Sequence, residues 1–468
     1  MNNIKPQLGF FSVISMVFCL PIALANIYFR DDLSRADYYF VNLKTIGRPV
    51  ADFLHDILTA FNSGADLSPL TLIISSMTLA ISGFILYKKF STEKNIIWSI
   101  PFLFISCNPF ALQGLSYKYD SISISASVLF AIIPFALNIK GKLFSFLFSV
   151  LFFFLAIGSY QASINIIIST TCFVLVTQIL SERSYREMCS YIIRKIIELV
   201  FSFILYLFTI NIFFPHTKSR SSIASLDGII RSINKILNDL ILLFDGAQSF
   251  YFITLCVVCI AVLIFNFQRC GILKVTAILS LLLAQLISIG GVSILLSEGI
   301  VGYRTYLSFG IFMMTISYIS IYSGKKLRIF PSIMSTLILI YFISLSFTYG
   351  NILSSQRKYE QLLVDDVYNN LSNNNTENKK VYISGRIKTS HMTRSLYKLN
   401  GILMNINPIE PWTGRFMLHN LGINVNWTWN SIDTTAIEIS NKEDAKVINN
   451  NDNYIIYKSG DVFSVIFK

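Results

Sequence analysis

The stretch that decides the fold is Leu8-Gly9-Phe10-Phe11-Ser12-Val13-Ile14-Ser15-Met16-Val17-Phe18-Cys19-Leu20-Pro21-Ile22-Ala23-Leu24-Ala25-Asn26-Ile27-Tyr28-Phe29, followed at once by Arg30-Asp31-Asp32-Leu33-Ser34-Arg35. The first part is an apolar run long enough to cross the hydrocarbon core of a bilayer. The second carries two adjacent carboxylates. Charged side chains are costly in hydrocarbon, so the acidic pair belongs at the water interface, level with lipid headgroups. A base at that depth can act on a group carried by a lipid phosphate.

The rest of the chain repeats the pattern. It has 468 residues, 53% of them hydrophobic and only 14% charged, with a mean hydropathy of +0.59. Apolar runs separated by short polar loops read as transmembrane helices at 8–29, 69–87, 96–112, 121–138, 143–158, 163–180, 196–215, 249–267, 275–297, 305–323 and 329–349. The expected fold class is an α-helical polytopic membrane protein of about eleven spans. The formal net charge of +12 comes from basic residues scattered through loops rather than gathered in a stripe, which excludes a nucleic-acid partner. An N-terminus in the cytoplasm places Lys88, Lys89, Lys94, Lys140, Lys142, Arg183, Arg186, Arg194, Lys195, Arg269, Lys274, Lys325, Lys326 and Arg328 inside. That arrangement obeys the positive-inside rule and sends the tail outside. Ala23-Leu24-Ala25 has the look of a signal-peptidase site, but Lys5 alone makes a poor charged n-region, so an uncleaved first helix is expected.

Two exterior loops carry helical patterns. Val50, Phe53, Leu54, Ile57, Leu58 and Phe61 form one apolar face behind Pro49, and Leu226, Ile229, Ile230, Ile233, Ile236, Leu237, Leu240, Ile241 and Phe244 form another. Arg231, Lys235, Asn238 and Asp239 fill the polar side of the second. Both helices fit a membrane surface or a place against the bundle. The chain then divides into a membrane part, 1–349, and a small C-terminal α/β exterior domain, 350–468. Within the tail, Glu360–Lys380 reads as a polar linker, Val381–Gly385 as a strand leading to a helix near Thr393–Leu399, and Tyr454–Tyr457 with Val462–Ile466 as a hairpin. Cys256-Val257-Val258-Cys259 has metal or redox spacing, but it lies inside an apolar helix without partner ligands and reads as packing.

The chemistry-bearing residues gather at the exterior ends of the spans. They are Asp31, Asp32, Arg35 and Arg48 in the first loop, Lys118 and Asp120 in the second, and Glu298 and Arg304 in the fifth. Inside the spans ionisable groups are nearly absent, and Glu198 is expected to snorkel from a cytoplasmic end, which argues against an ion-coupled transporter. There is no dinucleotide or phosphate-loop fingerprint and no zinc spacing among His55, His216, His391 and His419. Trp412, Trp427 and Trp429 in the tail could face a polysaccharide or fill a core.

Tyr28-Phe29-Arg30-Asp31-Asp32-Leu33-Ser34-Arg35, Gly47-Arg48, Asn108-Pro109 and Tyr119-Asp120-Ser121 resemble the Gtr glucosyltransferases that modify bacterial O-antigen, and the early exterior acidic motif on a helical bundle is similar to the GT-C glycosyltransferase class. The resemblance implies transfer of glucose from a polyprenyl-phosphate donor to lipid-linked O-antigen at the periplasmic face of the inner membrane. It also implies two functional partners, a small flippase and a polyprenyl-phosphate glucosyltransferase. Asp31 or Asp32 would be the general base, and Arg35, Arg48, Lys118 and Arg304 the donor-phosphate partners. Tyr119, Asp120 and Glu298 would touch substrate. No cofactor is expected, although the acidic pair leaves room for a divalent metal bridging to the phosphate. An O-antigen polymerase is the alternative within glycan assembly, and a flippase or transporter of lipid-linked glycans the non-enzymatic one.

Overall fold

The computed structural model describes residues 4–38, 41–62, 64–215, 222–296, 302–322, 327–374, 379–426 and 433–468. The chain forms two compact units, one of residues 1–23, 41–63 and 67–347, the other of 24–40, 64–66 and 348–468. Among the described residues seven helices are long and apolar enough to cross a membrane: Gln7–Ala25, Leu70–Phe90, Lys142–Ser159, Ser163–Leu180, Tyr185–Phe213, Gln248–Phe265 and Ile329–Ser372.

The eleven expected spans are thus not matched one for one. The runs at 121–138 and 275–297 fold as the shorter helices Ser121–Ala136 and Ile272–Ser288. The run at 305–323 becomes a 3-10 segment, Tyr303–Ser308, and the helix Phe309–Ile321. A helix of 13 residues rises only about 20 Å, short of the ~30 Å hydrocarbon core. Every residue of Phe309–Ile321 is buried, among the helices Ile96–Leu103, Ser163–Leu180 and Gln248–Cys270. Hydropathy counts an apolar residue alike whether it faces lipid or protein, so a wholly buried helix reads as a span.

The run at 96–112 breaks into Ile96–Leu103 and Ala111–Ser116. Pro109 has no N–H to continue a helix and turns Asn108 away from helical dihedrals. Asn108 then works as a brace. Its Oδ1 accepts from the Phe110 N–H at 3.0 Å, and its Nδ2 donates to the carbonyls of Tyr306 and Leu307 at 3.2 and 3.3 Å. Irregular backbone of this kind is tolerated at membrane depth where protein covers it. Two glycines admit it: a Cβ on Gly83 would stand 2.6 Å from the Phe102 carbonyl, and one on Gly310 2.5 Å from that of Phe104.

Glu198 corrects a second expectation. It does not snorkel but is fully buried midway along Tyr185–Phe213. Arg194 Nε donates to Oε1 at 2.8 Å and Lys195 Nζ to Oε2 at 2.7 Å. The Lys195 ammonium also lies 4.8 Å from the centre of the Phe135 ring. Partners three and four residues away on the same helix face make the burial tolerable.

Both amphipathic loop segments are helical, at Pro49–Leu58 and Leu226–Leu243. In the second, Leu226, Ile230, Leu237 and Ile241 are exposed, whereas Asp239, assigned to the polar side, is buried.

The second unit is built on a four-stranded sheet of order β1-β4-β3-β2, with β1 at Val381–Ser384, β2 at Lys446–Asn450, β3 at Tyr454–Ser459 and β4 at Val462–Phe467. β1 runs parallel to β4, and the other pairs are antiparallel. The expected linker 360–380 is largely helix, because Ile329–Ser372 continues through it. Leu363, Val364, Val367 and Leu371 recur on one face and fill the core beside Val381, Ile383, Ile456, Phe463 and Val465, while Trp412 packs at its edge. Leu33, from the helix Asp31–Tyr38, joins the same core. Trp427 and Trp429 lie outside the described residues.

Candidate active site

In the second unit the acidic motif opens a helix. The chain takes a left-handed turn at Arg30, φ 49°, an uncommon conformation for a side-chain-bearing residue, and Asp31 and Asp32 then occupy the first turn of Asp31–Tyr38. Carboxylates there complement the helix dipole. The two have different surroundings. Asp32 is fully buried and pairs with Arg35 Nη1 at 3.5 Å. Asp31 is half-buried. Asp32 and Arg35, three residues apart, share one face of this helix. Arg30 pairs with Glu410, and Asp37 with His419 Nδ1 at 2.7 Å. Burial pushes the Glu410 carboxyl above the usual carboxylate range, Arg30 opposes this, and the charge of Asp31 adds to it.

In the first unit three of the expected residues converge. Arg48, immediately before the helix Pro49–Leu58, pairs with the fully buried Asp120 at 3.6 Å and lies 4.6 Å from the centre of the Tyr160 ring. Tyr160 stands in the electrostatic reach of Arg48, Asp120 and Arg304 alike. The Arg304 guanidinium lies 5.0 Å from the Tyr117 ring centre, and its backbone N–H donates to Gln113 Oε1 at 3.1 Å. The backbone ahead of Arg48 is held twice, since Gln161 Nε2 and the Tyr206 hydroxyl donate to the Gly47 carbonyl at 2.7 and 2.8 Å. Lys118, two residues before Asp120, is half-buried, and Tyr119 is buried edge-on to His55 at 5.8 Å. Glu298 lies outside the described residues. Two arginines thus lie on aromatic faces, one of them tied to a buried carboxylate.

Beside Arg304, the Tyr303 hydroxyl donates to Asp239 Oδ1 at 2.5 Å and the Tyr306 hydroxyl to Oδ2 at 3.2 Å. Reading the sequence did not mark Asp239, Tyr160, Gln161 or Glu410 as part of a site. One signal was present: Ser159-Tyr160-Gln161 is the sole polar break between two apolar runs. Among the described residues no three His, Cys, Asp or Glu side chains gather as metal ligands.

Residues 20–315 match the family of the glucosyl transferase GtrII. The chain belongs to this family. The matched region contains Asp31, Asp32, Arg35, Arg48, Lys118, Tyr119, Asp120, Glu298 and Arg304, and the sheet of the second unit lies beyond it. A protein of Salmonella phage P22, described as an uncharacterized 55.3 kDa protein in the gtrB 5′ region, is 28% identical over 164 residues, covering 35% of this chain and 34% of that protein. The match therefore spans about a third of the relative's length. No solved structure matches. Membership of GtrII together with seven apolar helices makes this a multi-pass membrane protein of a glucosyltransferase family.

Proposed function

We propose that this GtrII protein transfers glucose from a polyprenyl-phosphate donor to lipid-linked O-antigen at the periplasmic face of a bacterial inner membrane. Residues 1–349 form the membrane glycosyltransferase part, and 350–468 a periplasmic domain. A small flippase and a polyprenyl-phosphate glucosyltransferase supply the donor. The acceptor hydroxyl oxygen bonds to the anomeric carbon of glucose. The bond from that carbon to the phosphate oxygen breaks, polyprenyl phosphate leaves with the electron pair, and the hydroxyl proton goes to a carboxylate.

Asp31 is the better placed base, half-exposed at a helix start, while Asp32, buried against Arg35, holds the motif in shape. Arg48 and Arg304, with Lys118 nearby, stabilise charge on the departing phosphate. Asp120 orients Arg48, and Tyr119 and Glu298 complete the substrate contacts. The observation that carries the reading is the pairing of Arg48 with buried Asp120 over the Tyr160 ring in a GtrII chain.

The test is glucosyl transfer in reconstituted membranes against polyprenyl-phosphate-glucose concentration. Asp31→Asn should lose about 100-fold or more in rate, since Asn cannot take the proton. Arg304→Lys should be impaired in apparent donor affinity and Arg304→Ala more so, because lysine keeps charge but not the fork. Wild-type behaviour of all three variants would overturn the reading.

A further inference from the structure

The second unit holds an open cleft beside the acidic motif. Ile27, Tyr28, Phe29, Arg30 and Leu33 form one wall. Leu353, Gln356, Arg357 and Glu360, from the long helix Ile329–Ser372, and the segment Asn407–Glu410 with Thr413 complete it. It encloses about 390 Å³, counted out to open solvent. Two features of its lining select a ligand.

First, the charges balance locally. Arg30 is paired with Glu410, and Arg357 Nε lies 3.5 Å from Glu360 Oε2 while Arg357 Nη2 donates to the Tyr28 carbonyl at 2.7 Å. Each guanidinium has its own carboxylate, so the cleft offers no surplus positive charge to an anion. A phosphate entering it would have to displace Glu410 or Glu360, both partly or fully buried. What such pairs present to a ligand is alternating donors and acceptors at fixed spacing. Vicinal hydroxyls of a sugar ring, each both donor and acceptor, match that array. The apolar sides of Ile27, Ile409 and the Tyr28 ring suit the C–H faces of the same ring.

Second, the cleft and Asp31 belong to one electrostatic neighbourhood. Arg30 and Leu33 flank Asp31 in the chain and line the cleft, and the charge of Asp31 reaches Glu410 inside it. The cleft therefore lies next to the acidic motif in the same unit.

We infer that this cleft is the subsite for the acceptor, a neutral, hydroxyl-rich saccharide of the O-antigen, held by the Arg30–Glu410 and Arg357–Glu360 pairs. The inference deepens the proposed function and rests on it for the identity of the acceptor. Trp412, in the same unit, packs against its core.

The test uses the full chain in nanodiscs and short O-antigen oligosaccharides cleaved from lipopolysaccharide and tagged with a diazirine. Photolabelling of the wild-type protein, mapped by mass spectrometry, should fall on 27–33, 353–360 or 407–413. Labels confined to other segments would overturn the inference, whatever the variants do. In equilibrium titration, Ile409→Trp, which fills the cleft and leaves both ion-pair residues unsubstituted, and Glu410→Gln should each weaken oligosaccharide binding at least tenfold. Unchanged affinity in both would overturn it as well, and so would displacement of the oligosaccharide by inorganic phosphate. The underlying reading fails differently: cleft-dependent oligosaccharide binding in a wild-type chain that transfers no glucose from the polyprenyl-phosphate donor would sink glucosyl transfer and leave a saccharide site standing.

Discussion

Asp239→Asn offers the sharpest test of how the cationic site is held. Asp239 is buried and accepts from two tyrosine hydroxyls, Tyr303 at 2.5 Å and Tyr306 at 3.2 Å, which flank Arg304 in the chain. A hydrogen bond to a charged acceptor contributes about 1.5–3 kcal/mol. Asparagine keeps the shape and one acceptor but turns an N–H₂ toward the other hydroxyl, so roughly one such bond is lost. That corresponds to about a 10- to 150-fold change in the equilibrium holding the segment 303–308 in place. Asp239→Ala removes both acceptors and leaves two buried hydroxyls without a carboxylate, and should cost about 3 kcal/mol or more. Because the segment carries Arg304, the effect should appear as a raised apparent KM for the polyprenyl-phosphate donor at an unchanged acceptor KM. A purely structural loss would lower the amount of active protein and leave both KM values alone. The Tyr303→Phe/Asp239→Asn cycle should show coupling of about 1 kcal/mol or more, since the two variants remove the same bond. Equal thermal stability and equal donor KM in wild type and Asp239→Asn would refute the reasoning.

Two further outcomes are expected. Gly310→Ala would place a Cβ 2.5 Å from the Phe104 carbonyl and 3.3 Å from Ile105 Cα, and overpacking against backbone should destabilise the protein by about 1–3 kcal/mol; an unchanged melting midpoint in detergent would mean that the 102–105 segment shifts freely. Fusions after Gly350 should give active alkaline phosphatase and inactive β-galactosidase, as an exterior tail requires, and the opposite pattern would reverse the assigned orientation.

Several local features were legible in the sequence because they depend on neighbouring residues alone. Proline at the start and a recurring apolar face are enough to specify Pro49–Leu58, and alternation around Ser459-Gly460-Asp461 specifies the β3–β4 hairpin. What resisted reading depends on distant partners. Asp239 looks like any polar residue on an amphipathic helix until two tyrosines some sixty residues away claim its oxygens. Glu410 has no motif around it, and its character comes from Arg30, near the other end of the chain. The helix Phe309–Ile321 was misjudged for a related reason, since its burial comes from neighbouring helices and not from its own composition.

The pairing of buried Glu198 and Lys195 with half-exposed Arg194 bears on how the chain is made. A lone charge on an inserting helix is costly, and this helix brings three within five positions at the start of its apolar run. All three lie within about one turn of one another, so the carboxylate is neutralised before any other helix has arrived. Ser145 and Ser149 on Lys142–Ser159, which accept from Arg194 at 2.8 Å and Lys195 at 3.5 Å, meet the one positive charge left over once Glu198 has its two partners. Tyr185–Phe213 thus carries its own counter-ions into the bilayer as it leaves the translocation machinery, and its entry does not have to wait for the rest of the bundle.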